Sequence, residues 1–272
     1  MKYLATFNPS SMQRPSLVVL KIGGKVLEVP SELLKALDYF AAIEGPKILV
    51  HGGGKQANHI MSALDIEPKM LNGRRITDAA TLEVVTMVYA GLVNKTVVSQ
   101  LQALGCNAMG LSGADGNLIR AHKRIVQTHD YGFAGDIDEI NAAAIQQLLD
   151  IGFCPCFCAI THDAKGQLLN TNADTIASQL AVALAKGYDV QLQFCFEKAG
   201  VMTDPDQDDS VIPILTPALY ESHKASGAIS GGMLPKLDNA FAAIEAGVSA
   251  VWIGHLPALQ NATATKVTGA AS

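Results

Sequence analysis

Two lysines far apart in the chain, one aspartate and three glycine-rich turns are the residues here best suited to chemistry. Lys21 ends an apolar run and is followed by Ile22-Gly23-Gly24. A second apolar run ends in His51-Gly52-Gly53-Gly54. A third turn, Gly231-Gly232-Met233-Leu234-Pro235, leads to Lys236. Glycines at such turns let backbone N–H groups approach an anion without Cβ obstruction, and a helix starting there adds a favourable dipole. Phosphoryl transfer asks for this kind of site, with positive charge around the migrating group and aligned reactants. Asn170-Thr171-Asn172-Ala173-Asp174 places amides and a carboxylate just before an apolar helical pattern. Arg75 is able to grip a substrate carboxylate in bidentate fashion.

Each feature also has an ordinary reading. A glycine triplet makes a tight turn, a lone lysine or arginine is usually solvated, and Asn172 or Asp174 caps a helix. Neither of the first two turns is a Walker A loop, because Lys55 is followed by Gln56. Gly52-x-Gly54-x-x-Ala57 does satisfy the loose dinucleotide fingerprint, and Arg74 and Arg75 stand where a 2′-phosphate reader would. An NADP oxidoreductase is therefore a rival, although it leaves Lys21, Asp174 and Lys236 without a role. Cys154, Cys156 and Cys158 alternate as on a strand, and burial of three small thiols is favoured over a metal or redox site. Asp204, Asp206, Asp208 and Asp209 lack the glycine and terminal glutamate of a calcium loop and read as a solvated turn.

The elements that must position these groups alternate apolar runs with helical patterns, as in a βα-wound parallel sheet. Strands are expected at Leu17–Ile22, Lys47–Val50, Asn107–Leu111, Phe153–Ile160, Val190–Phe196 and Ser249–Ile253, the last being final. Ile119–Ile125 reads as a hairpin arm. Helices are expected after a Ser31 cap, after Gly54, from a Thr77 or Asp78 cap to Leu104, from Asp138, over Asp174–Leu184, after Thr216-Pro217, and over Leu234–Ala246. Ala262–Ser272 reads as frayed.

The 272 residues, with 49% hydrophobic and 17% charged residues, suffice for a large folded core. A net charge of −5, without a basic stripe, argues against nucleic acid or an anionic membrane as partner. The Met1–Pro15 segment lacks a signal-peptide core, and five cysteines fit a reducing compartment, so a cytoplasmic location is expected.

Taken together, the ordered segments Lys21–Gly24, His51–Gly54, Asn72–Thr77, Asn170–Asp174 and Gly231–Lys236 resemble the amino-acid kinase family, and within it the N-acetylglutamate kinase branch. The match runs from Leu17 to Gly254. The resemblance implies a three-layer αβα sandwich with a mainly parallel sheet. It also implies an acyl-amino-acid lobe over residues 1–187, which includes a dimer interface, and an ATP lobe over 188–272. Lys21 and Lys236 would stabilise the γ-phosphoryl group, with Asp174 holding them. Gly23, Gly24 and Gly52 would bind phosphate. Gly53, Gly54, Arg75 and Asn170 would bind an N-acylglutamate, and Glu197, Gly200 and Gly232 the nucleotide. The cofactor set would be ATP with Mg²⁺ held mainly by phosphate oxygens, and no metal-ligating side chains. The reaction would be the second step of arginine biosynthesis, giving an acyl phosphate. Phe196-Glu197-Lys198-Ala199-Gly200 departs from the Ser-Asp-Val-x-Gly of relatives, with Glu197 in place of the aspartate. The acyl group is acetyl by default, with succinyl as the alternative. With no good helix read before Ser16, an arginine-insensitive homodimer is expected. A non-catalytic ligand sensor on the same fold is the third reading.

Overall fold

The computed structural model describes residues 14–71, 73–204, 207 and 210–269. The expectations for Met1–Pro15 and for Asp206, Asp208 and Asp209 therefore fall wholly or largely outside the described residues. An eight-stranded sheet runs in the order Ile214–Leu215, Thr265–Val267, Ala250–Gly254, Asp189–Cys195, Ser16–Ile22, Lys47–His51, Cys154–Phe157, Ala108–Leu111. Its pairings are parallel except that of Ala250–Gly254 with Thr265–Val267.

The central strands are apolar on both sides because helices cover both faces of the sheet. Leu17, Val19, Leu20 and Ile22 are fully buried, as are Ile48, Leu49 and Val50. Helices Pro30–Ala42, Asn94–Ala103 and Leu256–Gln260 pack together on one side. Ala142–Asp150, Ala173–Leu184 and Met233–Glu245 pack on the other, which makes the α/β molecule a three-layer sandwich. A smaller sheet of Leu168–Asn170, Ile160–His162, Ile119–Lys123 and Gly135–Ile140 and a Met70–Leu71/Arg74–Arg75 hairpin complete it.

Several expected boundaries move. Gly135–Ile140 is a strand, where a helix from Asp138 was expected. It pairs antiparallel with Ile119–Lys123, and Asn141 caps the helix by accepting from the Ala144 N–H. Partner-strand hydrogen bonds override the helical periodicity there. The Phe153–Ile160 run splits. Cys154–Phe157 stays in the main sheet, the Cys158 N–H binds Leu111 O, and Ile160–His162 joins the small sheet. Pro30 opens its helix with Val29 as N-cap, two positions before the expected Ser31 cap, since proline suits the first helical turn. The C-terminal segment is ordered at Thr265–Val267, which enters the sheet between two strands. Thr265 ties it down, accepting from the Val201 N–H and donating to Ile212 O.

The expected Asp78 cap is present and accepts from the Thr81 N–H. The helix it opens is α-helical over Ala79–Thr86, π-helical over Met87–Val93 and α-helical again over Asn94–Ala103. By length and apolar composition this helix alone among the described residues is able to cross a membrane. Val84, Val85, Val88, Val97 and Leu101 nevertheless bury it in the protein core.

Candidate active site

Parallel strands end on the same edge of a sheet, and ligands of open α/β sheets collect there, where the chain switches winding direction. Ser16–Ile22 is that point. Its neighbours are Lys47–His51 on one side and Asp189–Cys195 on the other. Lys21 near its end, the glycine turn after His51, and Phe194 in register with Lys21 therefore converge.

Asp174 lies in the first turn of Ala173–Leu184, whose N-cap is Asn172, accepting from the Thr175 N–H. The Asp174 carboxylate bridges both lysines: Lys21 Nζ lies 2.7 Å from Oδ1 and Lys236 Nζ 3.0 Å from Oδ2. The three side chains are 13, 12 and 19% exposed for Lys21, Lys236 and Asp174. Burial opposes ionisation of Asp174, but the charges of Lys21 and then Lys236 outweigh it and hold the carboxyl well below the usual carboxylate range. Burial lowers the Lys236 pKa and neighbouring Lys21 adds to that, while Asp174 pulls it back up. Rings of Phe194 and Phe196 lie 5.0 and 5.8 Å from Lys236 Nζ, so aromatic faces support the ammonium where water is thin. The trio carries one net positive charge.

The cleft beside this trio is lined by Lys21, Gly23, Gly24, Gly52, Gly53, Gly54, Arg75, Tyr89, Asn170 and Asp174, among others. Predicted residues from four chain segments thus meet in one place. Gly53 has φ 154°, and a Cβ there would sit 2.7 Å from Tyr89 Cδ1. Only glycine fits. Arg75 is buried and donates from Nη2 to Gly54 O at 3.1 Å. Asn170 donates from Nδ2 to Thr77 Oγ1 at 3.0 Å. A second cavity, lined by Thr175, Gly232, Pro235, Lys236 and Asn239, adjoins the first at Gly73, Arg74, Asn172 and Asp174.

Gly232, expected at the nucleotide, is the N-cap of Met233–Glu245 and lines this second cavity. Glu197 is exposed, and its Oε2 lies 3.0 Å from where a Gly24 Cβ would stand. Gly200 is buried with Thr265 Oγ1 and Val211 Cγ1 filling the space of a side chain. That packing, and not an open face toward a ligand, explains the glycine. Cys156 and Cys158 are buried, and burial raises both thiols.

Two further groups line the cleft. Tyr89 sits mid-helix with no local motif to mark it. Its hydroxyl is pushed up mainly by burial, with Arg75 acting the other way. Arg74, weighed only as a 2′-phosphate reader, lines both cavities.

The profile of the amino acid kinase family matches residues 16–255. The chain is similar to acetylglutamate kinase of Phocaeicola vulgatus, 53% identical over 93% of this chain and 99% of the relative. The acetylglutamate kinase of Bacteroides thetaiotaomicron is matched at the same identity and coverage. Among solved structures, smu.665 from Streptococcus mutans UA159 superposes with a TM-score of 0.78 at 27% identity, covering 93% of this chain and 98% of that one.

Proposed function

Because the chain belongs to the amino acid kinase family, we propose that it transfers the γ-phosphoryl group of ATP to the γ-carboxylate of N-acetyl-L-glutamate. The products are N-acetylglutamyl 5-phosphate and ADP, as in the second step of arginine biosynthesis. The observation that carries this reading is the Asp174 bridge between Lys21 and Lys236 at the mouth of the glycine-lined cleft.

The acceptor carboxylate is ionised at neutral pH, so it attacks the γ-phosphorus without a general base. A carboxylate oxygen–phosphorus bond forms as the bond from phosphorus to the β,γ-bridging oxygen breaks, and ADP takes the electron pair. Lys21 and Lys236 meet the negative charge spread over the migrating group, and Asp174 keeps the ammonium groups apart and aimed. Backbone N–H groups of the turns at Gly23-Gly24 and Gly52-Gly53-Gly54 complete the cradle. Arg75 and Asn170 grip the α-carboxylate and acyl amide of the substrate. The nucleotide lies against residues 188–272, near Gly232 and Glu197, while residues 1–187 hold the acyl amino acid. Mg²⁺, which would be held mainly by the phosphate oxygens of the nucleotide, would supply charge neutralisation there. Among the described residues no cluster of three or more His, Cys, Asp or Glu side chains is present. We assign the protein to the cytoplasm. We also assign it a homodimeric state, in which the exposed Met87 and Leu92 of the π-helical turn offer apolar surface to a second copy.

The test is ADP release with Mg·ATP and, in parallel, N-acetylglutamate, N-succinylglutamate and glutamate. Release with N-acetylglutamate alone is expected. Release with the succinyl compound alone would reassign the acyl group. Release with neither, from folded protein that binds ATP, would overturn the kinase reading in favour of a sensor.

A further inference from the structure

His51 ends its strand fully buried, and the transfer chemistry above gives it no task. Its Nδ1 lies 2.8 Å from Gly52 O, and its Nε2 lies 2.9 Å from Nδ2 of Asn94, which is also buried. The direction of these bonds comes by elimination. The Lys95 ammonium has only protons to give, and it lies 3.1 Å from Asn94 Oδ1. That fixes the amide, so Nδ2 donates both its protons, one to Cys156 O at 2.9 Å and one to His51. Nε2 of His51 is then a bare acceptor, and Nδ1 carries the proton and donates it to Gly52 O.

A trans peptide puts its N–H opposite its carbonyl. Holding Gly52 C=O back against His51 therefore turns the Gly53 N–H the other way, toward the cleft that these glycines line. The same helix braces the turn from the far side, with Tyr89 Cδ1 and Val93 Cγ2 2.7 and 3.4 Å from the Cβ position of Gly53. Tyr89, Val93 and Asn94 belong to or directly succeed the π-helical turn Met87–Val93. Such a turn adds a residue to the helical repeat and redirects the side chains on its C-terminal side.

Resting on the kinase reading, we propose that Asn94 and His51 are positioning residues for the phosphoryl-transfer step. The relay runs from Lys95 through Asn94 and His51 to Gly52, sets the imidazole tautomer, and aims the Gly53 N–H at the migrating group. The π-helical turn is the device that brings Asn94 to His51.

The tautomer is read in the wild-type protein by long-range ¹H–¹⁵N correlation of the imidazole. A protonated Nδ1 and bare Nε2 are expected; a proton on Nε2 overturns the relay. Kinetics supply the second arm. Asn94→Asp cannot donate to Nε2, and it should lower kcat 10- to 100-fold while KM for the acyl amino acid stays within about threefold. His51→Leu should do the same, and His51→Asn, whose amide is able to reach Gly52 O in place of Nδ1, should recover at least tenfold of the loss. Folded His51→Leu with kcat within twofold of wild type refutes the proposal, as does a loss confined to KM. If wild-type protein phosphorylates no acylated glutamate, it is the kinase reading that fails, and the tautomer alone decides the relay.

Discussion

Asp174→Asn removes one charge and changes almost no volume, so it isolates what the carboxylate does between the two lysines. At 2.7 and 3.0 Å, and with an effective dielectric constant of about 20, each ion pair is worth about 6 kcal/mol of gross attraction. Much of that offsets the desolvation of three charges, and an amide recovers part of the hydrogen bonding. Breaking a buried pair by deleting one partner costs about 3–5 kcal/mol net, and that loss in unfolding free energy is expected at pH 7. Urea denaturation followed by circular dichroism measures it. The pH dependence carries a second signature. Burial already lowers the Lys236 pKa and Asp174 raises it, so without Asp174 the folded value falls further below the unfolded one. A depressed group contributes its full stability above the unfolded pKa and loses it as pH falls through the folded value. Relative to wild type, the variant should therefore regain stability as pH rises toward the unfolded lysine pKa of about 10.4. Turnover should fall about 100-fold, since the ammonium groups lose their aim. A triple variant, Lys21→Met with Asp174→Leu and Lys236→Met, should be inactive yet within about 1 kcal/mol of wild type or more stable. If Asp174→Asn unfolds within 1 kcal/mol of wild type at pH 7 and keeps turnover within threefold, the bridge is not the centre of this site.

Three further predictions use other contacts. Lys21→Ala and Lys236→Ala should each lower kcat roughly 100-fold or more without unfolding the protein, because each removes charge used mainly in the transition state; steady-state ADP release decides. Gly53→Ala meets both a φ of 154° and the Tyr89 ring. It should cost about 1–3 kcal/mol in denaturation, and pairing it with Tyr89→Ala should restore part of that stability. Burial, the first cause, holds His51 at about 4, against an ordinary 6.5. Its contribution is full above pH 6.5 and is lost as pH falls toward 4, up to about 3 kcal/mol. The acid limb of wild-type stability should flatten by that amount in His51→Asn, as read from denaturation midpoints between pH 7 and 4.

The apolar strands and the turns that end them were readable because strand burial on both faces and glycine at a helix start leave local marks. Lys21, Asp174 and Lys236 were legible as candidates for the same reason: each sits at the end of a strand or the start of a helix. Their meeting was not local information, since Lys236 reaches Asp174 only through the crossing of two distant helices. Asp138 misled because Ile140, Ile145 and Leu149 keep a helical period across what is a strand followed by a cap. Thr265–Val267 was missed for the opposite reason: three residues are too few to carry a period, and its pairing partners supply the stability. Tyr89 was hidden because an aromatic on the buried face of a helix reads as core, and Asn94 because it follows the π-helical turn, which shifts the 3.6-residue pattern.

The position of Ser16–Ile22 in the sheet also governs how the chain must be built. Its parallel neighbour on the side away from Lys47–His51 is Asp189–Cys195, so the innermost strand lacks one flank until far more of the chain exists. At a synthesis rate of roughly 5–20 residues per second, Ser16 leaves the ribosome about 9–35 s ahead of Asp189. During that interval an apolar edge, already carrying Lys21 at its tip, is open to any other strand. Contacts so distant in sequence close slowly. A nascent chain stalled before residue 189 is therefore the form of this protein most exposed to aggregation, and the natural client for a chaperone.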